Sequence, residues 1–290
     1  MATQNYDLLI IGGGIAGASL AGAMAKQGAR VLVLESETRF RDRVRGEAIM
    51  PWGVIEARAL GIYDVLVAAG AVPITYWDSY QGADRSGHRN LVSTTAIKEH
   101  ILACYHPYMQ EALLQWAQDS GASVKRGARA RSVEAADGKG TNVIVEVEVA
   151  GGSESIAARL VVGADGRGSA VRSWAGFDVI KDPDRNLVAG VLLEGIDLPE
   201  DAAHAWLQAD AGHFVFHWPQ GNGMARAYLC TSPGAGSRLS GAGDFTRFIE
   251  GCEAAGVPAD VYSQAKAAGP LATFDGAGTW VRDAYRGVWR

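Results

Sequence analysis

The sequence predicts an α/β fold in which a β-α-β unit opens the chain and mostly antiparallel β-rich pieces are inserted into it. Three observations predict it. First, two continuous apolar runs, Leu8-Leu9-Ile10-Ile11 and Val31-Leu32-Val33-Leu34, flank glycines and an Ala-rich stretch. Runs without alternation mark strands buried on both faces, as in parallel sheets. Second, another such run, Leu160-Val161-Val162, leads into Gly163-Ala164-Asp165-Gly166. Third, beyond residue 186 the pattern changes to short strands separated by Gly and Pro turns.

Composition bounds the function. A chain of 290 residues makes one large domain or two ordinary ones. With 48% hydrophobic and 20% charged residues it is globular. Its 37 glycines follow no G-X-Y period, which excludes collagen. A net charge of −5 argues against a nucleic-acid grip. Cys104, Cys230 and Cys252 form no CxxC, and so sparse a set suits a reducing compartment. The sequence has no apolar run long enough for a membrane span and no secretory leader, so the expectation is a cytoplasmic protein.

The elements follow in order. Ile15 to Lys26 reads as a helix closed by Gly28, and the second strand ends at Glu35. Residues 36–45 form a polar, Arg-rich loop. Pro51 starts a helix toward Leu60, and a second runs from Gly61 to Ala69. Short strands fill 74–93. His106 to Ser120 is an amphipathic helix with Met109, Ala112, Leu113 and Trp116 on one face. Val124 to Val133, Asn142 to Val149 and Ile156 to Val162 read as strands, with Asp137-Gly138 turning the first pair. Leu187 to Leu193, His213 to Trp218 and Ala225 to Thr231 read as antiparallel strands. Phe245 to Ala255 and Pro258 to Ala268 read as helices.

Chemistry enters at the first glycines. Gly12-Gly13-Gly14-Ile15-Ala16-Gly17 is G-x-G-x-x-G between a strand and a helix, the Rossmann-like dinucleotide fingerprint. Gly12 permits the tight turn, Gly14 the approach of a pyrophosphate, and Gly17 close helix–strand packing. The N–H groups of Ile15 and Ala16 open the helix toward that anion. Glu35, 18 residues past Gly17, can accept hydrogen bonds from ribose hydroxyls. The fingerprint alone does not separate FAD from NAD.

The run Ala158 to Arg172, a buried strand entering Asp165-Gly166 with Ser and Arg beyond, resembles the Asp-Gly motif of the flavoprotein aromatic hydroxylases, the para-hydroxybenzoate hydroxylase type of FAD-dependent monooxygenase. The resemblance implies that Asp165 and Gly166 lie near FAD and assist NAD(P)H, the transient co-substrate. Read as residues alone, they make a strand-to-turn junction with an Asx turn. Arg43-Val44-Arg45-Gly46-Glu47 resembles the family's FAD-contacting Arg loop, which carries Arg45 to the pyrophosphate. A solvated charge cluster is the alternative, with Glu47 pairing with Arg43 or capping the helix at Pro51. Gln110 matches the helix position that reaches FAD in the family, and reads equally as a solvated helix residue.

Other patterns are decoys. His213 and His217 have the spacing of a helical metal site, but HFVFHWP alternates like a strand, so no metal site is expected. Tyr262 to Lys266 fits YxxxK, and an exposed helix explains it. Gly234-Ala235-Gly236 has Leu239 where a third Gly should stand.

The resemblance therefore implies a Rossmann-like FAD-binding domain with an inserted, mostly antiparallel β substrate domain. The expected division is 1–73 and 100–185, resuming at 271–290, for FAD, and 74–99 with 186–270 for substrate. The implied activity is NAD(P)H-dependent monooxygenation of a small aromatic or polycyclic compound with O2, through a flavin hydroperoxide. The cofactor carries the hard chemistry, so no catalytic acid or base is named. Alternatives are a flavin halogenase, although WxWxIP is absent, a prenyl-type reductase, or an inactive remnant of an FAD fold. The family's third motif, a strand ending in Gly-Asp, would follow residues 280–290, so the expectation is truncation before it or a natural short form.

Overall fold

The computed structural model describes residues 5–135, 143–183, 186–208, 212–232, 234 and 237–281. The Asp137-Gly138 turn, Ala235-Gly236 and residues 282–290 lie outside them. The chain divides into two compact units, Met1–Phe40, Met109–Lys181 and Thr279–Arg290 in the first, and Arg41–Tyr108 with Asp182–Gly278 in the second. This division groups 41–73, 100–108, 182–185 and 271–278 with the second unit, whereas the sequence places them in the first.

The first unit is built on β1 (Asn5–Ile11), α1 (Ile15–Lys26), β2 (Val31–Glu35), α2 (His106–Asp119), β3 (Ser123–Arg126), β4 (Arg129–Ala135), β5 (Val143–Val149), β6 (Gly152–Gly163) and α3 (Ala170–Trp174). The sheet order is β3-β2-β1-β6-β5-β4. Strands β3, β2, β1 and the C-terminal half of β6 are parallel, while the N-terminal half of β6 pairs antiparallel with β5.

Side chains alternate across a strand, so β1 and β2 offer two apolar faces. On one, Leu9, Ile11, Leu32 and Leu34 bury against Val145 and Val147 of β5. Each fully buried side chain of this size contributes roughly 1.5–3 kcal/mol. On the other, Ile10 faces Gly17 of α1, where a Cβ would stand 3.2 Å from Ile10 Cγ2. The two helices pack through Gly22, where a Cβ would stand 2.1 Å from the Trp116 ring. In α2 the buried stripe is Met109, Leu113, Leu114 and Ala117, rotated slightly from the expected one.

The expected single strand from Val124 to Val133 is two. Gly127, at φ +65°, breaks it. The chain leaves β3 beside β2 and returns as β4 beside β5. Periodicity could not show this, because Ser-Val-Lys-Arg and Arg-Ala-Arg-Ser-Val-Glu-Ala are both short and mixed in polarity.

The second unit holds an eight-stranded sheet. Leu187–Glu194, Met224–Thr231, His213–Gly221, Ala202–Gln208, Tyr76–Gln81 and Asp84–Asn90 follow one another across it. All of these neighbours are antiparallel except Ala202–Gln208 on Tyr76–Gln81. One face buries Val191, Trp206, Val215, Ala227 and Leu229 with Phe248 and Cys252 of the helix Phe245–Ala254. The other carries Tyr228 and Cys230 with half-buried Phe214, Phe216, Trp218 and Phe274.

The expected helix from Pro258 to Ala268 is instead a short 3-10 turn, Ala259–Tyr262, followed by a strand, Lys266–Ala267. Tyr262 is buried, and its hydroxyl lies 2.9 Å from His217 Nε2, so the exposed-helix reading of YxxxK fails. A buried phenol needs a polar partner, and the strand supplies one. Among the described residues no helix is long and apolar enough to cross a membrane.

Candidate dinucleotide site

The order β3-β2-β1-β6 makes β1 the point at which successive strands turn to opposite sides. In open α/β sheets ligands bind at such a switch, beyond the C-terminal strand ends. Two loops meet there. Ala164 N–H donates to the Ile11 carbonyl at 2.7 Å, so the turn after β6 runs beside the glycine loop after β1.

Only glycine fits at two of the fingerprint positions. Gly12 adopts φ +106°, and a Cβ on it would stand 2.3 Å from the Ala164 carbonyl oxygen. A Cβ on Gly17 would stand 1.9 Å from the Gly12 oxygen. Gly14 is different: it is the N-cap of α1, makes no side-chain cap bond, and has room for a Cβ. The first helical bond is Ala18 N–H to the Gly14 carbonyl at 2.8 Å. The N–H groups of Ile15, Ala16 and Gly17 therefore precede the ladder. Ile15 and Ala16 are exposed, so an anion can reach this helix end. Gln110 of α2 lies alongside, its Nε2 3.6 Å from where a Gly14 Cβ would stand.

Glu35 ends β2 and is buried. Its Oε2 accepts from Gly13 N–H at 2.7 Å, and its Oε1 from Glu37 N–H at 2.7 Å. The Ser36 hydroxyl donates to Oε1 at 3.3 Å. A carboxylate has about four acceptor sites, so roughly one remains, on Oε2. Glu35 thus organises the loop as well as offering an acceptor.

Asp165 is half-buried beyond β6. Its Oδ2 accepts from Ala170 and Val171 N–H, at 2.7 and 3.2 Å, and so caps α3. Its Oδ1 is buried and makes no hydrogen bond. An orphaned carboxylate oxygen is costly unless a further donor meets it. Gly166 follows at φ +82°. The first unit therefore brings together Gly12, Gly14, Gly17, Glu35, Gln110, Asp165 and Gly166.

Arg45 is exposed and belongs to the second unit. Beside it, Glu47 is buried and pairs with neither expected partner. Its Oε1 lies 3.2 Å from Nε of Arg226, and its Oε2 accepts from the Tyr228 hydroxyl. Burial raises its pKa, partly offset by the Arg226 charge. Arg226 Nη2 also lies 2.7 Å from Asp42 Oδ2. Sequence reasoning missed Asp42, Arg226 and Tyr228. The available signal was a lone Arg in an otherwise apolar strand, Ala225-Arg226-Ala227-Tyr228-Leu229.

An uncapped helix start beside two backbone-anchored carboxylates defines a dinucleotide-binding α/β protein. The chain belongs to the FAD-binding domain family, whose profile matches residues 5–246. FAD is thus the cofactor, and the glycine cradle, the free helix end and the Asp165 orphan all fit it. The chain is 27% identical over 221 residues to squalene monooxygenase SE2 of Panax ginseng, covering 75% of this chain and 39% of the relative. It is 27% identical over 228 residues to digeranylgeranylglycerophospholipid reductase 1 of Methanococcoides burtonii, covering 77% and 53%. A shorter match, 44% over 66 residues, joins it to squalene epoxidase erg1 of Schizosaccharomyces pombe, covering 23% and 14%. The chain thus spans between 14% and 53% of the length of these relatives. The fold is shared with aklavinone-11 hydroxylase in complex with FAD and aklavinone, at TM-score 0.79 and 20% identity over 99% of this chain and 56% of that one. It is also shared with p-nitrophenol 4-monooxygenase PnpA of Pseudomonas putida DLL-E4, at TM-score 0.79 and 19% identity over 98% and 71%.

Proposed function

We propose that the chain is the cofactor- and substrate-binding part of an NAD(P)H-dependent flavin monooxygenase that hydroxylates a small aromatic or polycyclic compound. The observation that carries this reading is the meeting, at one switch point, of the uncapped start of α1 with Asp165, whose Oδ1 is buried and unbonded. FAD, when bound, supplies the redox and oxygen-transfer chemistry. The Ile15 and Ala16 N–H groups bind its diphosphate, Oε2 of Glu35 accepts from a ribose hydroxyl, and Oδ1 of Asp165 accepts from a further donor on the ligand. Gln110 is assigned to the same ligand by its place beside Gly14, and Arg45 to the diphosphate by the resemblance of its loop.

For the substrate, the second unit offers half-buried Phe214, Phe216, Trp218 and Trp77 on one sheet face. Rings packed there bury a planar aromatic well. The same face suits a long apolar chain, and the squalene monooxygenase relatives favour that as a second reading. The experiment is to load the protein with FAD and follow NADH and NADPH oxidation with phenols, polycyclic ketones and squalene, identifying products by mass spectrometry. Oxygenated phenol or polyketide product is expected. Oxygenated squalene alone selects the second reading, and cofactor oxidation with no product from any class contradicts both.

A further inference from the structure

We infer that Arg226, with Tyr228, is the positioning residue of the 41–47 segment, which it clamps from beneath so that Arg45 stands outward to meet an anion. That the anion is the FAD diphosphate rests on the reading above; the clamp itself rests on the second unit alone.

The segment alternates. Asp42, Val44 and Glu47 turn inward, while Arg41, Arg43 and Arg45 are exposed. Several inward groups are tied, while Glu47 Oε1 and Arg226 Nε and Nη1 are buried without a hydrogen bond. Asp42 Oδ1 accepts from Val44 N–H at 2.8 Å, and its Oδ2 meets Arg226 Nη2 at 2.7 Å. Glu47 Oε1 lies 3.2 Å from Arg226 Nε, an ion pair without a hydrogen bond, and its Oε2 accepts from the Tyr228 hydroxyl. The same phenol oxygen lies 3.3 Å from the Val44 carbonyl; its one proton goes to the carboxylate, the stronger acceptor. Cys104 N–H donates to the Glu47 carbonyl at 2.8 Å, and His106 Nδ1 lies 3.2 Å from the Gly46 carbonyl.

The backbone needs such a clamp. Val44 sits at φ +57°, a region that a β-branched residue occupies only at a cost. Its side chain is 1% exposed, packed with Tyr228 and Cys230. Strain of this kind persists where the surroundings over-determine it, and it concentrates at ligand clamps. The base of the clamp is rigid, because Met224–Thr231 is paired on both sides, to Leu187–Glu194 and His213–Gly221. A guanidinium is required. Its planar fork presents Nε to one carboxylate and Nη2 to another, which an ammonium on a single stem cannot do.

The test uses the full chain with Arg226→Met, Arg226→Lys, Tyr228→Phe, Arg45→Gln and the Tyr228→Phe/Arg45→Gln double variant. Two quantities are read: the rate of tryptic cleavage after Arg41, Arg43 and Arg45, and FAD affinity by flavin fluorescence. Tyr228→Phe removes one hydroxyl from an intact core and keeps the test alive if Arg226→Met fails to fold. It is expected to speed cleavage of the segment and to weaken FAD by about tenfold, the loss of one hydrogen bond to a charged group. Arg226→Met exceeds it, and Arg226→Lys recovers part of the loss. In the Arg45→Gln background Tyr228→Phe costs no further affinity, because its effect passes through Arg45. Unchanged cleavage in both Tyr228→Phe and Arg226→Met, or full additivity in the double variant, overturns the inference. A wild-type chain that does not bind FAD overturns the reading above, and the cleavage rates still decide the clamp.

Discussion

In the first unit the groups offered to a ligand are main-chain N–H donors at the start of α1, and both carboxylates beside them are themselves tied to main-chain N–H groups. In the second unit the polar interior is built from side chains. Arg226 is enclosed with Asp42 and Glu47, and buried Asp78 pairs with exposed His88 and Arg85. All six histidines of the chain lie there, at positions 88, 100, 106, 204, 213 and 217. A site made of backbone is broken by an added Cβ where another stretch of main chain lies close, as at Gly12 and Gly17. One made of buried titratable side chains has a stability that follows the proton.

The largest effect should come from breaking the backbone half. Gly12→Val puts a β-branched residue at φ +106° with its Cβ against the Ala164 carbonyl. Urea unfolding should show a loss of about 3–5 kcal/mol, the range for strain plus a buried clash. FAD binding should disappear with it.

Acidification should strike the other half. Burial lowers the pKa of His217 from 6.5 to about 3, and burial also lowers His100, His106 and His204. A depressed histidine pKa means that the unfolded chain takes up the proton first. Stability is therefore full above pH 6.5 and falls as pH drops toward 3. His217 alone should account for roughly 3 kcal/mol by pH 4. Glu47 has the opposite sign: its raised pKa favours the folded state at low pH, and that contribution is lost as pH rises through it. Hydrogen exchange at pH 4.5 should show the second unit losing protection before the first, and His217→Phe should flatten the slope. Equal loss in both units would erase the contrast.

Glu35→Gln is a smaller perturbation with a sharper meaning. An amide NH2 would face the Gly13 or Glu37 N–H donor, leaving a buried group unsatisfied. A stability loss of about 1–3 kcal/mol is expected by thermal unfolding. No loss would mean that the loop organises itself without this carboxylate. Asp165→Asn should be the mildest for folding. The remaining carbonyl still caps α3, so stability should shift by no more than about 0.5 kcal/mol. FAD affinity should still weaken by about tenfold, because the oxygen left unbonded in the protein changes character.

What could be read from the sequence follows the same divide. The strand, glycine loop, helix and Glu35 of the first unit lie within 31 consecutive residues, from Asn5 to Glu35, and each is dictated by local chemistry. Asp165-Gly166 was legible because its strand and turn are contiguous. The partner of Glu47 was not: Tyr228 stands 181 residues away, and no local pattern links a buried acid to an Arg on a distant strand. The strand Ala202–Gln208 passed unnoticed because Ala-Ala-His-Ala-Trp is weakly β-prone, and its pairing with Tyr76–Gln81 supplies what propensity lacks. Tyr262 looked like a surface helix residue because the proximity of His217 is a tertiary fact.

The central claim is that FAD is held by the glycine loop together with Asp165. Its most direct test is a fluorescence titration of the wild-type chain and Asp165→Asn with FAD, with folding checked by circular dichroism. The account predicts saturable binding by the wild type and a weakened but folded Asp165→Asn. No FAD binding, or the same affinity in both, would contradict it.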